Sequence, residues 1–335
     1  GVYGTLASFG YFDIRQAYAG FRKAGSVFGG HVESVVPGIE WNTGNLGQGL
    51  SAGCGFALAA KLHGRSNRAY VLMGDGKQQK GQITEARRFA VKFALDNLTA
   101  LVDVNGLQIG GETATIMPFD LEAAWKADGW DVVWVDGHDH HAIYHALHRA
   151  QRQTERPTVL LLRTVMGAGI PEIEGDAGYH GKALSEEMAA RALAHLGADD
   201  DLEALRALRA EETSTLPHDI VVDRAIELQV GPPITYGADV VTDCRSAYGA
   251  FLEELGRANN ASDRFWPVVG ISCDLEGSVK MNGRAHWRAQ QRWHRALLQH
   301  LWHVRRRRGL QSAAAQRPKR GRPQGGRHPL RARRG

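Results

Sequence analysis

Four short apolar runs, each stopped by a turn signal, constrain this chain more than anything else in it. Arg68-Ala-Tyr-Val-Leu-Met73 runs straight into Gly74-Asp75-Gly76. Asn97 to Val104 stops at Asn105-Gly106, Trp130 to Val135 stops at Asp136-Gly137, and Thr158 to Thr164 is the fourth. Helical patterns such as Gln82–Ala94 and His141–Gln153 lie between them. Continuous apolar strands separated by helices of this length predict an α/β fold with a parallel, doubly wound sheet. Ligands in such sheets sit at the carboxyl ends of the strands, where Asp75, Asn105 and Asp136 fall.

The region after these strands divides by composition. Ser185 to about Thr215 reads as a helical, charged end of the first domain that passes into a linker. Pro232-Pro233 marks a new start, Asp243 to Ala258 reads as a helix, and Pro267 to Ser272 as a strand ending at Cys273-Asp274-Leu275. The expected organisation is a first domain over 1–195, a linker over 196–230, the start of a second, similar α/β domain over 231–283, and a tail over 284–335. About fifty residues are too few to close a second core. The opening residues Gly1-Val-Tyr-Gly-Thr-Leu6 read as the middle of an element, so earlier chain is expected.

Charge supports the same boundary. The 335 residues carry 41 Lys+Arg against 36 Asp+Glu, a net +5, and the pI near 9.2 suggests nucleic acid or a membrane surface. From Arg284 to Gly335, however, there are 16 basic residues and no acid, leaving an acidic body of 25 basic and 36 acidic side chains. The tail reads either as a disordered, nucleic-acid-binding arm or as high-GC sequence read out of frame after Gly283. Such a frame yields Arg-, Ala-, Gly- and Pro-rich, acid-free output, and the second reading is favoured because the patterns of the preceding chain stop abruptly at that point. No apolar run reaches the roughly 18–20 residues that span a bilayer. Three widely spaced cysteines, Cys54, Cys244 and Cys273, give no disulfide or metal spacing and fit a reducing, cytoplasmic setting.

Several residues carry candidate chemistry. In Gly74-Asp75-Gly76 the glycines let backbone approach a phosphate, and the following helix start offers N–H groups. Asp75 and the Asn105 side-chain oxygen are hard donors suited to Mg²⁺; the plain alternative is a tight turn. The loop Thr43-Gly-Asn-Leu-Gly-Gln-Gly49 leads into the small-residue helix Leu50–Lys61, either to meet a flat cofactor or only to pack closely. His31, after Gly29-Gly30, and His180, in the loop Gly175–Gly181, are candidates for acid–base or clamping work, or are solvated loop histidines.

Together these segments resemble the transketolase family of thiamine-diphosphate enzymes. Phe21-Arg-Lys-Ala-Gly-Ser26 with Gly30-His31, Pro37-Gly38-Ile-Glu40, and Thr43-Gly44-Asn45-Leu46-Gly47-Gln48-Gly49 are similar to its motifs, with Asn45 in place of a proline. Gly74-Asp75-Gly76 to Asn105-Gly106-Leu107 resembles the thiamine-diphosphate signature, and Asp136–Asp139 and Tyr179–Lys182 resemble later segments. The resemblance covers Gly1 to about Gly283. Deoxyxylulose-phosphate synthases and dehydrogenase E1 chains share only part of it.

The resemblance implies Mg²⁺ ligation by Asp75, Asn105 and the Leu107 carbonyl, with Gly74 and Gly76 at the diphosphate and Gly44 and Leu46 at the aminopyrimidine. It places His31 and His180 at the substrate and in proton handling, with His180 also at the diphosphate. Arg245 and Ser278 would bind the sugar phosphate, and Asp274 would lie near the thiazolium. It further implies a homodimer acting on sugar phosphates of the pentose phosphate type, moving a two-carbon ketol unit. Three departures stand out, one being that the segment carrying another family histidine and the first part of the domain would lie before Gly1. Lys80 occupies a family glutamate position, although Glu85 is present, and no activating GIxE segment follows Asp274. Little or no turnover is therefore expected of this chain alone.

Overall fold

A computed structural model describes residues 1–211 and 228–260. Among the described residues, the boundary between two compact units falls between Pro233 and Ile234. In the first unit, helices α1 (Val2–Ser8), α2 (Ile14–Gly20) and α3 (Gly49–Leu62) precede strand β1 (Ala69–Gly74). Helix α4 (Gly81–Lys92), strand β2 (Leu98–Val104), the hairpin β3 (Leu107–Gln108) and β4 (Gly111–Glu112), and helices α5 (Thr113–Ile116) and α6 (Leu121–Ala127) follow. Strand β5 (Asp131–Asp136), helix α7 (His140–Arg152), strand β6 (Thr158–Arg163) and helices α8 (Glu186–Leu196) and α9 (Leu202–Glu211) complete it. The described part of the second unit holds helix α10 (Cys244–Asn260).

The main sheet is parallel throughout, in the order β1-β2-β6-β5. The apolar runs read from sequence are these four strands, each within a residue of its expected ends. The pattern was legible because the inner strands are covered on both faces. Leu98, Ala100, Val102 and Val159 to Leu161 are fully buried. The edge strand β1 instead alternates, with Val71 and Met73 inward and Tyr70 and Leu72 outward. From β1 the chain steps to β2, crosses past β6 to β5, and returns through α7 to β6. Because parallel crossovers are right-handed, this reversal carries helices to both faces and gives the doubly wound form.

Three close contacts position the elements that lead to the strand ends. Helix α3 lies directly on β1 and β2 at Gly53, where a Cβ would stand 2.3 Å from Val71 Cγ2 and 3.3 Å from Leu98 Cδ1. The Asn97 side-chain amide fastens the same helix to the start of β2 by donating to the Ala57 and Asn67 carbonyls at 2.9 and 3.1 Å. On α4, buried Arg87 pairs with Asp128 at 2.8 Å and stacks over Trp125, tying α4 to the end of α6. Burial pushes the Arg87 guanidinium down, and Asp128 holds it charged. An N-terminal layer closes around buried Phe28, with Tyr3 and Phe12 edge-on to its ring.

Helix α9 falls in the stretch read from sequence as linker. It returns to the N-terminal layer, where Arg209 donates to the Ala19 and Phe21 carbonyls at 2.8 and 2.9 Å and thereby caps the end of α2. In the second unit, Asp243 starts α10 by accepting from the Ser246 backbone N–H at 3.0 Å and its hydroxyl at 2.9 Å. Among the described residues no helix is long and apolar enough to cross a membrane.

Gly53→Ala is expected to destabilise the chain by about 1–3 kcal/mol in urea unfolding, since the added methyl overpacks against Val71. Val71→Ala in the same chain should recover part of that loss, so the two changes are not additive. A second outcome concerns Cys54, whose thiol lies in the α3–α4 interface and donates to the Ala86 carbonyl at 3.5 Å. Burial pushes this thiol up to about 12. At pH 8, iodoacetamide should alkylate exposed Cys244 and spare Cys54 until the chain is unfolded, as read by peptide mass mapping.

Candidate functional site

Strands β1 and β2 end side by side, with Gly74 in register with Asp103. One residue beyond, the Asp75 N–H still donates to the Asp103 carbonyl at 3.0 Å, and the chain then turns through one 3₁₀ turn, Gly76–Gln79, into α4. The Asp75 side chain does two things at this point. Its Oδ1 accepts the Gly76 N–H and its Oδ2 accepts the Gly106 N–H, both at 2.7 Å. The carboxylate therefore bridges the ends of two parallel strands.

Asn105 occupies the neighbouring strand end, and its Oδ1 accepts the Leu107 N–H at 2.9 Å. This local loop turns the chain into the β3–β4 hairpin, which the Thr113 N–H closes onto the Gly106 carbonyl at 2.8 Å. Gln108 from the hairpin reaches back to the first strand end, where its Oε1 accepts from Gln79 Nε2 at 2.9 Å. A Cβ at Gly76 would stand 3.1 Å from Gln108 Cβ, so this position has little room for a side chain.

Asp75 is buried. Burial pushes its carboxyl above the usual range, the N–H bonds from Gly106 and Gly76 pull it back, and nearby Asp103 pushes it up again. Asp103 in turn accepts a hydrogen bond from the Thr164 hydroxyl at the end of β6. Two acidic side chains and an amide oxygen thus gather at adjacent strand ends.

The glycine-rich loop meets the start of α4, the helix that follows the Gly74-Asp75-Gly76 turn. At Gly44 the backbone takes φ +132°, open to glycine, and a Cβ there would stand 3.3 Å from His31 Cγ. His31 and Gly44 are therefore neighbours, as the sequence candidates required if they were to share a site. Leu46 is about half exposed, and Gly47 is covered by the Lys80 side chain, whose Cβ would stand 2.9 Å from an added Cβ. Lys80 thus joins the loop to the start of α4, and no family motif signalled this packing role.

The segment before His31 is held by an unusual backbone. Arg22 lies in the left-handed region at φ +54°, with its N–H donating to the Phe28 carbonyl at 2.8 Å. The Arg22 guanidinium lies over Gly30, and Tyr3 Oη donates to the Gly29 carbonyl at 3.0 Å. His180 is exposed and ends the 3₁₀ turn Ala177–Tyr179, which packs on β4. The hairpin after Asn105 is thus the element between the strand ends and the His180 loop.

Arg245 belongs to the second unit, at the first turn of α10, where it pairs with Asp243 at 3.7 Å. Asp274 and Ser278 lie outside the described residues. Gln79, Gln108 and the Gly106 N–H escaped the sequence reading as site groups. The signal was present only as polar residues following each Gly-containing strand end.

Comparison with known proteins places this geometry. Residues 2–215 match the transketolase, thiamine diphosphate binding domain family. A 6-deoxy-6-sulfo-D-fructose transketolase subunit of Clostridium sp. is 39% identical over 197 residues, covering 58% of this chain and 71% of that one. An apulose-4-phosphate transketolase subunit of Phocaeicola vulgatus is 39% identical over 180 residues, covering 53% of this chain and 64% of that one. The crystal structure of transketolase from Campylobacter jejuni superposes with a TM-score of 0.67 at 27% identity, over 83% of this chain and 48% of that one. The chain therefore spans about half of a solved transketolase and about two thirds of each subunit-named relative. It belongs to the transketolase family, and its first unit is the thiamine-diphosphate-binding domain of that family.

Proposed function

We propose that the strand ends of β1 and β2 hold thiamine diphosphate through Mg²⁺, and that the chain serves in transfer of a two-carbon ketol unit between sugar phosphates. The observation that carries this reading is the Asp75 carboxylate bridging Gly76 and Gly106. Each of its oxygens accepts one N–H and keeps acceptor capacity for a cation. Asn105 Oδ1 is placed likewise, and the Leu107 carbonyl follows it. An all-oxygen donor set completed by substrate-like phosphates is the chemistry Mg²⁺ favours. The cramped backbone at Gly76 suits direct approach of a phosphate to an N–H. The residues present therefore fit the group.

Thiamine diphosphate, when bound, supplies the electron sink that lets the carbon–carbon bond beside a ketose carbonyl break. The chain's own residues bind and orient. Gly74 and Gly76 would offer backbone to the diphosphate, and Gly44 and Leu46 would hold the aminopyrimidine. His31, fixed over Gly44, and His180 serve sugar hydroxyls and proton movement. Arg245 would offer a planar fork for a sugar phosphate, a role proposed also for Ser278, with Asp274 proposed for the thiazolium.

The relatives named as subunits support a division of labour, in which this chain carries the diphosphate-binding half and a further polypeptide completes the catalytic centre. A second copy of this chain, as in a homodimer, is the other arrangement. The acidic body and the parallel sheet favour this enzyme reading over nucleic-acid binding through the tail.

Asp75→Asn keeps the size of the side chain and removes its charge and one acceptor. Calorimetric titration of the full chain in Mg²⁺ should show thiamine-diphosphate affinity falling at least about tenfold, the scale of one lost charged interaction. Asn105→Ala should do the same, and exposed Glu85→Gln should leave affinity unchanged. Equal affinity in all three variants would remove the strand ends from the proposed site.

A further inference from the structure

The outer face of α7 carries imidazoles that take no part in the oxygen-lined strand ends. In His140-His-Ala-Ile-Tyr-His-Ala-Leu-His148, the residues Ala142, Ile143, Ala146 and Leu147 pack toward the sheet. His141 and His145 are both exposed, and being four residues apart they stand one above the other on the opposite face. Such a pair is about 5–6 Å apart at Cβ, a span two imidazoles close on one ion with nitrogen–metal distances of about 2.0–2.1 Å.

The scaffold beneath the pair is fixed. Asp139 caps the helix by accepting the N–H groups of His141 and Ala142 at 2.8 and 3.1 Å, and Ala146 and Ala150 are buried. His148 lies three residues further on, but its ring is packed edge-on against Tyr144 at 4.4 Å. The Tyr144 ring is further from His145, at 5.7 Å, which leaves His141 and His145 as the pair.

We propose that His141 and His145 form a two-imidazole chelate for a borderline divalent transition cation of the Ni²⁺, Cu²⁺ or Zn²⁺ class. Among the described residues no three His, Cys, Asp or Glu side chains converge as a metal cluster. Water or an incoming ligand therefore fills the remaining coordination positions, and the site is open and exchangeable. Mg²⁺ does not compete, because it selects oxygen donors in octahedral array. The chain thus carries two cation sites of different chemical class, and this one does not depend on the cofactor reading.

The test is calorimetric titration of the full chain with NiCl₂ in Mg²⁺ buffer, beside His141→Ala, His145→Ala, the double variant and His148→Ala. The chain's other histidines, from a total of 15, remain in every sample as background. Chelation raises the effective concentration of the second imidazole, so the chain should show one site at least about tenfold tighter than the rest. Either single substitution should abolish it, the double should lose nothing more, and His148→Ala should retain it. The thermal midpoint should rise with Ni²⁺ in the unsubstituted chain and not in the two single variants, since the ion binds the folded helix. Alanine favours an exposed helix position, so circular dichroism should show all variants folded. Identical titrations for the unsubstituted chain and the double variant would overturn the proposal, as would additive losses from the two single substitutions. Loss of the tight site in His148→Ala would overturn the assignment of the pair.

Discussion

Asp75 accepts two backbone N–H groups, one from the turn it begins and one from the end of the next strand. Every other feature of the candidate site is measured from that bridge. A parallel sheet leaves its strand-end N–H groups without ladder partners, and a buried carboxylate is costly unless hydrogen-bonded. Joining the two at one residue answers both needs. It also sets Asn105 and the Leu107 carbonyl beside Asp75, because Gly106 is the residue between them. With Asp103 close by, two carboxyl groups stand near each other at the strand ends, and their mutual repulsion is of the kind a divalent cation relieves.

The glycine-rich loop depends on this frame through packing. Helix α3 can lie against β1 only because Gly53 gives Val71 room, and that close approach carries the loop 43–49 to the same end of the sheet. Lys80 then covers Gly47, and His31 covers Gly44. The small residues that made this segment ambiguous in sequence are thus a packing device and a candidate ligand surface at once.

The inner strands β2 and β6 were legible because burial on both faces leaves long apolar runs with sharp ends, and the edge strands β1 and β5 because their outward positions are largely apolar as well. Asp75 and Asn105 were legible because glycine follows each at a strand terminus. The β3–β4 hairpin was not, since two-residue strands carry no periodicity, and neither was the Gln79–Gln108 contact that it makes. The docking of α9 was hidden for another reason: it rests on Arg209 donating to backbone carbonyls, which any sequence offers. Arg22 shows the same limit, because nothing in its type announces a left-handed backbone.

The central claim is that the strand ends recognise a diphosphate through a divalent cation, so the direct measurement compares thiamine diphosphate with thiamine. Calorimetry on the full chain should show binding of thiamine diphosphate in Mg²⁺, loss of that binding when the cation is chelated, and no comparable binding of thiamine. Equal binding of the two compounds, or binding of thiamine diphosphate that persists without a divalent cation, would contradict the account.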